Sequence, residues 1–247
     1  DSGAVIGVVR RGWHPVQNRE AALLCEYICR DGEARFESAG SSRGGRVVWF
    51  VLRLRDSLDV AGDEIDSYVL VSNAHDGSQS VRACITPLRV TCANSLRIAE
   101  RRGSGTLAVR HTPTAHHRLA EAERVLAFAA SDLSKFRETA ATLAGSPMTD
   151  REIEAFAEAM FPLSDDGGTG RSRAIEERSS VVSRALGEGL GLDRSRIRCT
   201  RWGALNALVE HLDHARRYRD DEQRFGAVML RPAALKRRGR DYLVALN

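Results

Sequence analysis

Lysine is nearly missing from this chain: Lys135 and Lys236 are the only two, against 35 arginines. No apolar run reaches the roughly 18 residues of a membrane-crossing helix, so no helical membrane span and no membrane partner are expected. The start, Asp1 to Ile6, lacks the basic region and long apolar segment of a signal peptide, which points to the cytoplasm. A first residue of Asp rather than Met leads us to expect a further segment upstream. Cysteine is sparse and unpaired in pattern: the five (Cys25, Cys29, Cys84, Cys92, Cys199) are an odd number without paired spacing, as expected of reduced thiols. Cys25 and Cys29 stand four apart on an expected helix, but no histidine or second cysteine pair lies near them to complete a zinc site. No Walker loop, GxGxxG or nucleophile elbow is present, so nucleotide hydrolysis, dinucleotide chemistry and ordinary acyl transfer have no motif to stand on. No cofactor and no metal site are expected.

What is present is an ordinary folded chain of 247 residues, 43% apolar, enough for one good-sized core or two modest ones. Codon bias in a GC-rich genome accounts for arginine and alanine being enriched together. Arginine's planar fork also suits phosphate, yet a net charge of +4 is only a mild electrostatic pull.

Punctuation and periodicity divide the chain into a sheet half, 1–112, and a helical half, 113–247. Ala4 to Val9 reads as an apolar strand, and Asn18 as the N-cap of a helix over 19–30 with Ala22, Leu23, Leu24 and Tyr27 as its stripe. Strands over 34–41 and 46–55 flank the turn Ser42 to Gly45, and strands over 65–73 and 79–86 flank His75-Asp76-Gly77. This is an antiparallel β-meander with an inserted helix. A short helix over Cys92 to Arg102 and a last strand over Thr106 to His111 follow. One long helix, 115–144, carries a narrow seam from Leu119 to Leu143, a candidate surface for a homo-oligomer. A helix from Pro147 and Thr149 to Phe161, a flexible linker near 163–170, and helices over about 171–187, 201–219 and 232–245 complete an α+β fold.

The second strand alternates: Val48, Phe50, Leu52 and Leu54 fall on one face, and Val47, Trp49, Val51, Arg53 and Arg55 on the other. With Arg82 from a neighbouring strand, Trp49, Arg53 and Arg55 make a face that suits nucleic acid. Arg89 and Asn94 bracket a helix start where a phosphate can sit, beside the His75 turn. His75 and Asp76 are the candidates for acid/base work, although a tight turn alone explains Asp and Gly. Asp63, Glu64 and Asp66 could serve a metal nuclease, but they lack a paired lysine; His111, His116 and His117 match no metal spacing. Trp202 reads as a core anchor with Asn206, Glu210 and His214 on the flank of its helix. Arg216, Arg217 and Arg219 with Lys236, Arg237, Arg238 and Arg240 would form a phosphate track if they shared one side.

Several short pieces, in this order, resemble a known family: Pro15 to Asn18, Ala39 to Ser41, Gly44 to Trp49, His75 to Ser78, Pro87 to Val90 with Asn94 to Leu96, Arg110 to Thr112, and Thr200 to Trp202 with Asn206-Ala207. The chain is similar to the phage/plasmid-like proteins of unknown function. Members usually carry Val-Cys and Asn-Thr-Leu where this chain has Val90-Thr91-Cys92 and Asn94-Ser95-Leu96, which keeps the side-chain character. The resemblance implies a mobile-element setting in a bacterial host cell rather than a reaction. The expectation is a non-enzymatic accessory that binds single-stranded DNA or anneals it. The rivals are a metal-dependent nuclease or related hydrolase centred on His75 and Asp76, and a non-catalytic host-interaction or structural protein.

Overall fold

A computed structural model describes residues 5–89, 106–115, 117, 123–163, 169–189, 196–220, 223–224 and 234–246. The fold is α+β, with an antiparallel sheet in the N-terminal half and helices in the C-terminal half. The elements are α1 (Asn18–Cys29), β1 (Ala34–Ser42), β2 (Val47–Leu54), β3 (Leu58–Val60), β4 (Asp63–Ala74), β5 (Val81–Arg89), β6 (Thr106–Val109), α2 (Glu123–Ala144), α3 (Asp150–Met160), α4 (Thr169–Ser183), α5 (Arg201–Glu210) and α6 (Ala234–Ala245). The strand order is β1-β2-β4-β5-β6, with the short β3 paired to the start of β4. The chain makes two compact units: Asp1–Ser57 with Asp66–Thr86 and Glu100–Ser134, and Leu58–Ile65 with Pro87–Ala99 and Lys135–Asn247. The expected helix over Cys92 to Arg102 and most of the 163–170 linker lie outside the described residues.

The first unit is a sheet covered on one face by α1. Strand alternation sends Leu52 of β2, Val69 and Val71 of β4, Val81 and Ala83 of β5 and Val109 of β6 into one core, with Phe50 and Leu54 packed on it. Leu24, Cys25 and Ile28 of α1 fill that core, and Ala21 is buried beside them on the same helix. The helix therefore turns a different stripe inward than Ala22 and Leu23 suggest, and Leu23 is exposed. Gln17, not Asn18, is the N-cap: its backbone N–H donates to Glu20 Oε2 at 2.6 Å in a capping box, which frees the Asn18 side chain for another contact. The β1–β2 turn holds Arg43, Gly44 and Gly45 at φ of 55°, 64° and 84°, a left-handed run that glycine permits. Residues 5–10 form no strand, against expectation. Val8 is 91% exposed. A strand needs a ladder partner; this segment is instead held by a close approach of Gly7 to the backbone of Asp76 and of Val9 to Gly77.

The second unit is built around α5. From Trp202 to Glu210 every residue is buried, so this helix has no solvent face. Thr200 starts it by accepting from the Gly203 N–H at 3.1 Å. Trp202 is the core anchor expected, and its indole N–H donates to Asp63 Oδ2 at 3.0 Å, on the β3–β4 hairpin that also supplies Val60 and Ile65 to this core. Ile153, Phe156, Ala157 and Met160 of α3 and Leu243 of α6 pack around it. Phe136, Ala140 and Leu143 of α2 lie in the same core. That end of the long helix is therefore committed within this unit and is no free seam for a second copy. α5 runs out into a wide π-helical turn, His211–Ala215, whereas α4 continues through Arg184–Glu188 to a kink at Gly187, φ 154°.

Candidate nucleic-acid interface

Four chain segments far apart in sequence meet at one end of the first unit. The His75 backbone N–H donates to Arg46 O at 2.7 Å, joining the 75–78 turn to the β1–β2 turn. His75 Nε2 lies 2.7 Å from Asn18 Oδ1 at the start of α1, and Asn73 Nδ2 donates to Val16 O at 2.8 Å. The His14 N–H donates to His111 O at 3.1 Å, and the Trp13 ring stacks on His111 with centroids 4.7 Å apart. Arg43 reaches Asp76 at 3.8 Å.

Arginines crowd this end. Arg43 and Arg46 make two of these contacts, Arg19 and Arg110 adjoin residues that make others, and Arg10 O accepts from the Trp13 N–H at 2.9 Å; all five are exposed. The carboxylates are occupied: Glu20 caps α1, and Asp76 Oδ1 accepts from the Ser78 N–H at 2.9 Å. Burial works to raise the Asp76 pKa, but the Ser78 hydrogen bonds and Arg43 outweigh it and the carboxyl stays ionised. Burial lowers the pKa of His75 despite Asp76, and that of His111, so both rings are neutral at pH 7. His75 and Asp76 do not form a hydrogen-bonded acid/base pair; each is tied to another group.

The aromatic and basic face expected of the sheet is real in register but not bare. Trp49 and Arg53 share a face of β2, Arg55 follows just past the strand's end, and Arg82 joins that face with Cys84. Val47, Val51, Leu70 and Cys84 on that face are buried. The Trp49 indole lies against Gly40 of β1, where a Cβ would come within 2.5 Å of Cζ2. Arg53 is bound to both oxygens of Asp66 at 2.7 Å, and Asp66 also accepts from Tyr68 OH at 3.4 Å. Arg55 is exposed, 3.5 Å from Glu33, and Arg82 is half-buried. Arg89 closes β5, its side chain beyond the description, and Asn94 lies outside the described residues.

The second unit holds a buried polar centre that sequence reading did not assemble. His211 Nδ1 lies 2.9 Å from Ser180 Oγ, Arg184 bonds Glu210 at 3.1 Å, and Lys236 Nζ meets Asp213 at 2.5 Å. Lys236, expected on a solvated basic surface, is thus in the interior; a buried ammonium requires a buried carboxylate. Arg216 is spent on Glu177, Arg219 on Asp220, Arg238 on Ala159 O and Arg240 on Asp241, so most of the expected carboxy-terminal track is already engaged. Asp63 and Asp66 are likewise engaged, by Trp202 and Arg53. Among the described residues no group of three or more His, Cys, Asp or Glu side chains is arranged to hold a metal ion, and no helix is long and apolar enough to cross a membrane.

Together these features define an α+β protein of two compact units whose sheet unit ends in an arginine-rich cluster of turns. The chain belongs to the family described as domain of unknown function (DUF932), whose model matches residues 5–231. No curated protein and no solved structure matches it. Sequence reading missed Arg10, Arg19, Arg43, Arg46, Arg110 and Trp13 as a group. The signal was nonetheless there: the pieces carrying the family resemblance around Asn18, Arg46, His75 and His111 are those that meet here.

Proposed function

We propose that this chain binds nucleic acid, preferring single-stranded DNA, through the arginine-rich end of its first unit, as an accessory of replication or recombination in a phage, prophage or plasmid. One observation carries the reading: five exposed arginines, Arg10, Arg19, Arg43, Arg46 and Arg110, lie on the segments that meet where α1 starts and the Arg46 and His75 turns join, while the carboxylates Glu20 and Asp76 are occupied. Guanidinium forks bind phosphate oxygens in pairs. Half-buried Trp13 offers ring surface for a base, a contact worth about 1–3 kcal/mol and open to a single strand rather than a stacked duplex. Trp49, Arg53, Arg55, Arg82, Arg89 and Asn94 form the rival track on the sheet face and beyond β5.

Fluorescence anisotropy with labelled single-stranded DNA, duplex DNA and RNA at about 50 mM salt tests it, since phosphate contacts are strongest at low salt. The expected result is tightest binding to single-stranded DNA, weakened when Arg19, Arg46 and Arg110 are replaced by glutamine and little changed when Arg55 and Arg82 are. No binding to any strand overturns the reading. Strand cleavage in added magnesium or manganese replaces it with the hydrolase centred on His75 and Asp76.

A further inference from the structure

We infer that β1 is the interface of a symmetric dimer, pairing antiparallel with β1 of a second copy about an axis through Phe36. β1 is the edge of the sheet, and among the described residues it pairs with no strand but β2. From Arg35 to Ala39 every residue is exposed, and the strand contains neither lysine nor proline, two residues by which natural edges discourage pairing. Its protective features are the charges of Arg35 and Glu37 and a bulge that leaves Glu37 without a partner on β2. Phe36 is 46% exposed on this edge although it belongs to the face of β2 that carries Leu52.

The charges supply the register. Arg35 and Glu37 approach each other only to 3.9 Å along their own strand, and both are solvated. Turned about Phe36, a second β1 sets each Arg35 opposite the other copy's Glu37, Phe36 opposite Phe36 and Ala34 opposite Ser38. Two cross-strand ion pairs and an aromatic pair then replace two exposed ion pairs and two exposed rings. Parallel pairing, or a register shifted toward Ser38 to Ser41, gains neither. The stretch is short, so the dimer belongs with small, weak interfaces and forms at high protein concentration. This dimer is independent of the nucleic-acid reading, which uses other arginines.

Sedimentation velocity of the full chain between about 5 and 500 µM, a range suited to a small interface, is the test. Wild type is expected to pass from monomer to dimer across the range. Arg35→Glu, which sets like charges opposite, shifts the midpoint upward by at least about tenfold, and Arg35→Glu with Glu37→Arg restores it. Phe36→Lys, a change at an exposed side chain, gives the same loss with an unchanged circular dichroism spectrum. A wild type that stays monomeric throughout overturns the inference, as does a dimer that Arg35→Glu and Phe36→Lys leave unaltered.

Discussion

His211 makes the stability of this protein depend on pH in a specific window. The side chain is 5% exposed, and burial lowers its pKa from the ordinary 6.5 to about 4; Glu177 opposes this, while Arg184, Arg216 and Arg173 add to it. In the unfolded chain the imidazole takes up a proton as pH falls below about 6.5, whereas in the folded protein it stays neutral until about pH 4. The unfolded state therefore binds more protons across that interval, and stability falls as pH falls through it. The slope is about 1.4 kcal/mol per pH unit, for a total of about 3 kcal/mol between pH 7 and pH 4. Urea unfolding followed by circular dichroism at several pH values, on wild type and His211→Gln, isolates the effect, because other titrating groups contribute alike to both proteins. Wild type should lose about 3 kcal/mol more than the variant over the interval. Parallel pH profiles would show that the buried imidazole is not held neutral, and the reasoning would fail.

Removing the buried cation in Lys236→Met leaves Asp213 in the interior and should cost about 3–5 kcal/mol in urea unfolding, most of it regained with Asp213→Leu; a loss below about 1 kcal/mol would contradict the pair's burial. Thr149→Ala removes the capping box of α3 and should lower stability by about 1 kcal/mol, read from the same midpoints. Burial raises the Cys25 thiol to about 12, so Cys25 should resist alkylation at pH 8 by peptide mass mapping until denaturant is added, and rapid labelling in the native protein would refute its place under the sheet.

The legible parts of this fold are those where local chemistry decides. Period-2 alternation identified Phe50, Leu52 and Leu54 as core, the glycines of the β1–β2 turn marked a hairpin, and Trp202 read correctly as an anchor. Composition misled where only tertiary partners decide. Val5 to Val9 has strand composition but no ladder to join, and Asn18 has N-cap chemistry that it spends on His75. Lys236 looked solvated because Asp213, its partner, is remote in sequence. The same holds for the arginine-rich end: Arg10, Arg19, Arg46 and Arg110 belong to four separate segments, and only the hydrogen bonds around His75 and His111 bring those segments together. Local patterns show an arginine's exposure but not its neighbours across the fold.

The central claim is that phosphate is bound at that end, and its most direct measure is the salt dependence of binding to a single strand. Removing one arginine–phosphate interaction should reduce the slope of log K against log salt by about 0.7. For the Arg19, Arg46 and Arg110 triple glutamine variant the account predicts a slope shallower than wild type by about 2, with the far-ultraviolet spectrum unchanged. Equal slopes for the two proteins would contradict it.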